Sequence, residues 1–329
     1  MTADTVGGVW TYAVELAHAL DAKVHLATMG RPLSEAQRAE AGVFAGVYES
    51  DFPLEWMPDP WDGVDAAADW LLELEHELQP HVVHLNGYAH AALSWRAPTV
   101  VVAHSDVLSW WRAVRGEPAP AEWDEYRRRV AVGLHAADCV VAPTAAVAAD
   151  LEREYDVTGV TVVPNCRRPE LLPTAPKEPF VLAAGRVWDE AKNLALLADL
   201  DVPVMVAGDG ELPGVRTLGQ LPFDQLAGCM AKAAVFAAPS SYEPFGLAAL
   251  EAAHAGCALV LGDIPSLHEV WGDAASYVSD KASLREAVHA ALAHPTAGQR
   301  ARERAQRYLP ARTAAGYEAV YAHLPVRAA

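Results

Sequence analysis

The sequence predicts an α/β protein made of two Rossmann-like domains, and three observations carry that expectation. Its 329 residues exceed what one ordinary core organises and suit two domains of about 150 residues each. Short apolar runs that end in turn residues alternate with helical patterns, which is the rhythm of parallel sheets covered by helices. The alternation pauses at Arg167 to Pro179 (RRPELLPTAPKEP), a linker-like segment with four prolines, and starts again at Phe180. The restart argues for a second domain rather than one continued sheet, so the division is placed at 1–170 and 171–310, with a last helix over 311–329.

In chain order, Gly7-Gly8 precedes an amphipathic helix from about Trp10 to Leu20, with Tyr12, Leu16 and Leu20 at helical spacing. A glycine-rich turn at a helix start lets backbone N–H groups approach an anion or a sugar closely. A doubly wound domain needs a strand before such a turn, and Met1 to Asp4 is short for one. The expectation is therefore a truncated first strand, from a start placed too late or from a clipped domain. Lys23 to Thr28 reads as a strand, Ser34 to Gly42 as a short helix, and Asp51 to Gly63 as a loop rich in Pro and Trp. Val64 to Leu78 is a helix that stops at Gln79-Pro80. Val82 to Leu85 and Thr99 to Ala103 are buried strands, ending in Asn86-Gly87 and His104-Ser105. Open α/β sheets bind ligands at the carboxyl ends of their strands, which singles out Asn86 and His104 from the other histidines and amides.

Trp110-Trp111 to Val132 carries Arg112, Arg115 and Arg127-Arg128-Arg129. A solvated helix face balanced by Glu122, Asp124 and Glu125 is the favoured reading; contact with an anionic acceptor or a peripheral membrane surface is the alternative. Ala137 to Pro143 is a strand, Ala145 to Glu154 a helix, and Val160 to Val163 a strand closing at Pro164-Asn165-Cys166. Trp10, Trp110 and Trp111 neighbour candidate site segments, and tryptophan stacks on sugar faces.

In the second half, the strand from Phe180 to Ala184 leads into Gly185 to Asn193 (GRVWDEAKN), then a helix, then the strand Val202 to Ala207 and the turn Gly208-Asp209-Gly210. Leu218 to Pro222 (LGQLP) precedes a helix from Phe223 to Ala233, and Ala233 to Pro239 is a buried strand. Glu243 then opens a Pro-Phe-Gly turn into a helix from Leu247 to Ala255. Glu251 lies eight residues beyond Glu243, about 800° around an ideal helix, or roughly 80° off register. The two carboxylates face one general region at different depths, as holding two parts of an extended ligand requires. The plainer reading is a helix-start carboxylate and a surface glutamate.

The formal net charge of −18 argues against generic nucleic-acid binding. No run of 18 apolar residues exists and no basic-then-apolar leader is visible, so a soluble cytoplasmic protein is expected. Cys139, Cys166, Cys229 and Cys257 lack metal spacing and read as free thiols. The one D-x-D, Asp199-Leu200-Asp201, falls in a turn before a strand, so no metal site is expected.

EPFGLAALE resembles the E-x7-E signature of the retaining GT-B glycosyltransferases of family 4, and GRVWDEAKN resembles that family's phosphate motif, with Arg186 and Lys192 six residues apart. The two occur in the family's order, and the resemblance covers nearly the whole chain. It implies a GT-B fold, two Rossmann-like domains facing a central cleft, with the last helix crossing back onto the first. It implies transfer of a sugar, with retention, from a nucleotide-diphosphate sugar to a small-molecule, glycan or lipid-linked acceptor, without metal or other cofactor. By the same resemblance Arg186 and Lys192 meet the diphosphate, Glu243 and the backbone N–H groups of Phe245 and Gly246 hold the sugar, Leu247 borders the donor, and Glu251 holds the ribose. Gly8, Gly208 and Gly210 border the donor, Gly219 and Leu221 lie near the base, and His104 touches the sugar near its reacting carbon. Gly7, Trp10, Asn86 and Trp110 are the candidate acceptor contacts, and Gly262 to Glu269 resembles a further loop beside the donor. Cys166 stands where many members have glycine. The rival readings are a nucleotide-sugar-binding protein without turnover and a sugar-nucleotide epimerase.

Overall fold

The computed structural model describes residues 1–294 and 296–326. The chain divides into two compact units. The first comprises Met1–Arg112, Glu117–Asn165 and the segment from Pro310 onward; the second comprises Ala113–Gly116 and Cys166–Leu309. The boundaries thus fall at 165/166 and 309/310, beside the 170/171 and 310/311 expected.

The first unit runs β1 (Thr2–Asp4), α1 (Gly8–Ala19), β2 (His25–Met29), α2 (Glu35–Glu40), β3 (Gly46–Glu49), α3 (Trp61–Leu78), β4 (Val83–Leu85), β5 (Thr99–Val102), all but the last three residues of α4 (Val107–Arg115), α5 (Asp124–Ala136), β6 (Cys139–Ala142), α6 (Ala145–Tyr155) and β7 (Thr161–Val162). Its strands form two parallel sheets, β1-β2-β3 and β4-β5-β6-β7. Where β1 meets β4, side-chain bonds replace a ladder: Thr2 Oγ1 accepts from the Asn86 backbone N–H (3.0 Å), and Asn86 Nδ2 donates to the Thr2 carbonyl (2.7 Å).

The first strand is as short as the sequence suggests: Thr2, Ala3 and Asp4 register with Ala27, Thr28 and Met29, and the ladder extends one bond further through Ala27 N–H to the Met1 carbonyl. The sequence reading missed β3, a half-exposed GVYE segment that alternates too weakly to announce itself.

The second unit runs β8 (Glu178–Ala184), β9 (Val204–Ala207), β10 (Arg216–Thr217), α7 (Phe223–Lys232), β11 (Ala233–Ala238), α8 (Leu247–His254), β12 (Ala258–Gly262), α9 (Pro265–Trp271), β13 (Ala275–Val278), α10 (Lys281–Ala293) and α11 (Ala297–Ala305). Its six strands are parallel in the order β10-β9-β8-β11-β12-β13, the doubly wound arrangement. Both faces are buried, which explains why the strands read as unbroken apolar runs. Leu182, Phe236 and Leu259 enter one core, while Val181, Val235 and Val260 enter the other.

Three expectations are corrected in this unit. The helix predicted after Asn193 is a single 3-10 turn, Leu194–Leu197; left-handed Asn193 and Asp199 bound it, leaving no room for a longer helix before β9. The loop expected over Gly262 to Glu269 is mostly α9, which Pro265 opens at a position where a missing N–H costs nothing. The proline-rich linker is structured at both ends, with a 3-10 turn at Pro169–Leu171 and Glu178 already in β8. After α11 the chain rejoins the first unit through α12 (Pro310–Ala322), whose Tyr317 and Val320 pack with Tyr12 and Leu16 of α1. Of the helix expected over 311–329, residues 327–329 lie outside the described residues.

Candidate functional site

In the second unit the chain leaves β8 toward β9 and β10 on one side and returns to β11, β12 and β13 on the other. The switch point lies between the carboxyl ends of β8 and β11, where an open sheet leaves a crevice for ligand. The sequence-predicted residues of this unit gather around those ends. Gly185 follows β8 and begins a loop that closes in a 3-10 turn at Glu190–Lys192. Lys192 Nζ donates to Glu243 Oε2 at 2.7 Å, joining that loop to the one after β11. The Ser241 N–H adds a second tie, to the Ala191 carbonyl at 2.9 Å. Glu243 is fixed from behind as well, since Ser266 Oγ of α9 donates to its carbonyl at 2.6 Å.

Gly246 caps α8 at φ 87°, a left-handed conformation that explains the glycine after Pro-Phe. The partial positive charge of this eight-residue helix's start therefore faces the loop that carries Glu243. Phe245 points away into the core, edge-on to Tyr308, and Leu247 begins α8 half-buried. A small cavity of about 30 Å³, room for a water or two, is lined by Lys192, Ser240, Glu243 and Gly246. The buried Ser240 hydroxyl has no hydrogen-bond partner among the described residues.

Arg186 is half-exposed. Its guanidinium bonds Asp189 Oδ2 at 2.7 Å and lies over the Trp188 ring, 5.1 Å from its centroid. Gly208 explains how the neighbouring turn fits: a Cβ there would come within 1.8 Å of the Gly185 carbonyl oxygen. Gly210 lies close to Val187, and Gly208 bridges to Gly219 through an N–H to carbonyl bond of 2.9 Å. Leu221 follows, half-buried, one residue before the cap of α7. The structure thus brings Arg186, Lys192, Glu243, Gly246, Gly208, Gly210 and Gly219 to one edge of one sheet.

Glu251 sits deeper, on α8, at 7% exposure, and Arg167 Nε donates to its Oε1 at 2.7 Å. Arg167 is itself buried, with its guanidinium 4.4 Å from the centroid of the Phe223 ring. The plainer reading of Glu251 as a surface glutamate is thereby excluded. Reading Arg167 as linker missed this residue, because proline-rich composition says nothing about the first position of the segment. Trp188 was missed too; its 69% exposure inside an otherwise compact motif is the feature that marks it.

In the first unit the corresponding switch point lies between β1 and β4, and Thr2, Asn86 and His104 meet there. His104 Nε2 lies 2.8 Å from Asn86 Oδ1. Because the Asn86 amide nitrogen already donates to Thr2, its oxygen must accept, so His104 carries its proton on Nε2. Burial pushes the His104 pKa down to about 3, which keeps the ring neutral and leaves Nδ1 an acceptor. Tyr12 packs edge-on against it at 4.5 Å. Gly7, at φ 84°, and Gly8, the first residue of α1, are exposed at the helix start.

Trp10 is corrected as an acceptor contact: it is only 4% exposed, packs edge-on to Phe44, and donates through Nε1 to Glu40 at 2.6 Å. Trp110 is half-buried on α4, with Trp111 edge-on beside it. The basic stretch is a solvated, ion-paired face, with Arg127 on Asp124, Arg128 on Glu125 and Arg129 on Asp65. Asp199 and Asp201 pair with Lys281 and His289 at the surface. Among the described residues no helix is long and apolar enough to cross a membrane.

Residues 6–171 match the family described as Glycosyltransferase Family 4, half of the chain, and residues 178–294 match Glycosyl transferases group 1. The chain belongs to glycosyltransferase family 4. Among curated proteins, this family 4 chain is 42% identical over 100 residues to glycogen synthase of Mycobacterium tuberculosis, covering 29% of this chain and 24% of that one. It is 36% identical over 108 residues to O-antigen chain mannosyltransferase B of Escherichia coli, covering 32% and 26%. The matched part spans about a quarter of the length of these relatives. Among solved structures it is similar to sucrose-phosphate synthase from Thermosynechococcus elongatus, with TM-score 0.81, 19% identity, and 98% and 94% of the two chains covered. It is also similar to Anabaena Alr3699/HepE in complex with UDP and glucose, with TM-score 0.77, 15% identity, and 98% and 99% covered. Those likenesses establish the two Rossmann-like domains of the GT-B fold for the family 4 chain.

Proposed function

We propose that the protein is a retaining hexosyltransferase that moves a sugar from a nucleotide-diphosphate sugar to an acceptor without a metal ion. The observation that carries this is the Lys192–Glu243 pair at the β8/β11 switch point, set before the start of α8. Breaking a glycosidic bond to a nucleoside diphosphate places growing negative charge on the departing phosphates. Lys192 supplies a compact cation there and Arg186 a forked one, already oriented by Asp189 and Trp188. Glu243 is placed to accept from sugar hydroxyls while Lys192 shifts toward the phosphate, so one pair serves both halves of the donor. Glu251 is assigned to the ribose hydroxyls and the Gly208 to Leu221 segment to the base. Alr3699/HepE, described in complex with UDP and glucose, makes a uridine nucleotide the first donor to try.

For the first unit, the neutral His104 with its Nδ1 acceptor, together with Asn86 and Gly7, suits recognition of a sugar hydroxyl rather than of an anion. The four cysteines are in no disulfide, as fits the reducing, cytoplasmic setting proposed for the protein. The test is turnover of UDP-, GDP- and ADP-sugars, followed as nucleoside diphosphate release, with the product's anomeric configuration read by proton NMR. One donor consumed with retention, unaffected by EDTA, is expected. A donor that binds and is never consumed would contradict transfer, and inversion or loss of rate in EDTA would contradict the mechanism.

A further inference from the structure

We infer that Arg167 is a positioning residue for the donor's ribose, acting through Glu251. The inference rests on the assignment of Glu251 to the ribose hydroxyls. Its own support is geometric. Arg167 lies two residues beyond Asn165, where the chain passes into the second unit, yet it is buried rather than solvated. Its Nε donates to Glu251 Oε1 at 2.7 Å, and the face of its guanidinium lies 4.4 Å from the Phe223 ring centroid. A hydrogen bond and a stacking contact on one planar group fix both its direction and its tilt. The Arg167 backbone N–H bonds the Tyr308 carbonyl at 3.3 Å, which anchors the main chain beneath that side chain.

Glu251 is thereby held in a defined orientation, and a carboxylate has lone pairs for several donors. A ribose diol presents two adjacent O–H donors and needs an acceptor in a defined orientation, which this arrangement supplies in advance of binding. Phe223 is the first residue of α7 and directly follows Leu221-Pro222, the end of the segment assigned to the base. Arg167 therefore couples the acceptor of the ribose to the start of the helix behind the base. A buried arginine on a buried glutamate is weak support for stability as such, which favours a role in orientation.

The experiment is a double-mutant cycle on ribose preference. Affinities of UDP, GDP and ADP, of their 2′,3′-dideoxy counterparts and of inorganic pyrophosphate are measured by calorimetry. The proteins are wild type, Arg167→Met, Arg167→Lys, Glu251→Gln and the Met/Gln double variant. Wild type is expected to favour the ribose form, and Arg167→Met to lose about ten- to a hundredfold of that preference, the effect of one hydrogen bond to a charged group. Pyrophosphate affinity should be unchanged, Arg167→Lys should recover part of the preference, and Arg167→Met should add no further loss in the Glu251→Gln background. Additive losses, an unchanged preference in Arg167→Met, or an equal loss of pyrophosphate would overturn the positioning role. If Arg167→Met does not fold, Phe223→Leu decides: it should weaken the ribose preference about two- to fivefold, as loss of a cation–π contact does, and no change would overturn the inference. A wild type that binds nucleoside diphosphates without ribose preference would instead sink the Glu251 assignment.

Discussion

The two units place candidate residues at equivalent switch points, yet the chemistry at the two points differs in kind. At β8/β11 stand the cation–carboxylate pairs Lys192–Glu243, Arg186–Asp189 and Arg167–Glu251. At β1/β4 the group is neutral, a threonine, an amide and an imidazole held uncharged by burial. The same doubly wound topology thus sets paired charges at one switch point and a threonine, amide and imidazole group at the other. Fold positions a site; side chains decide what it can bind. Fixed, paired charges suit a diphosphate that must be gripped harder as it departs, and neutral donors and acceptors suit hydroxyls that must be exchanged with water.

Several substitutions would break or sharpen that contrast. The largest effect is expected for Lys192→Ala, which removes the compact cation and leaves Glu243 unpaired. Steady-state turnover should fall about 10²- to 10³-fold, the usual loss for one preorganised electrostatic group. Gly208→Ala comes next, because its Cβ would meet the Gly185 carbonyl oxygen at 1.8 Å. Overpacking of this kind costs about 1–3 kcal/mol, seen as a lower Tm, and should displace the Arg186 loop so that donor affinity drops as well.

A third prediction concerns His254, on α8 one turn beyond Glu251 and buried with neither ring nitrogen hydrogen-bonded among the described residues. Burial, then the charges of Arg302 and Arg167, push its pKa down from 6.5 to about 4. The unfolded chain takes up a proton at His254 as pH falls below 6.5, while the folded one resists until about 4, so stability should decline across that window. Replacing the ring with leucine should flatten the decline, which a series of melting curves from pH 7.5 to 4 would show. An unchanged slope would place the titration elsewhere. The smallest effect belongs to Trp188→Ala: losing the stack on Arg186 is worth about 0.5–1 kcal/mol, a two- to fivefold rise in donor KM.

The sheet of the second unit was largely legible because its strands are buried on both faces and therefore apolar throughout. Strands with one exposed face, such as β3, carried too little pattern to be read. The site was legible where local motifs fix it: the Gly185 to Asn193 loop and the Glu243–Glu251 spacing name their own residues, and even Asp189 lies three positions from Arg186. Partners brought by tertiary packing were not legible. Nothing around Arg167 announces that it will lie against a helix 84 positions further on, and nothing around Trp10 announces that Glu40 will hold it in the core.

The account turns on the nucleotide being held by the charged switch point of the second unit. The direct measurement is calorimetric titration of UDP, GDP and ADP into wild type, Glu251→Ala and His104→Ala. One nucleoside diphosphate should bind wild type and His104→Ala alike and bind Glu251→Ala at least tenfold more weakly, the effect of losing a charged hydrogen-bond acceptor. Binding lost in His104→Ala and retained in Glu251→Ala would contradict the account.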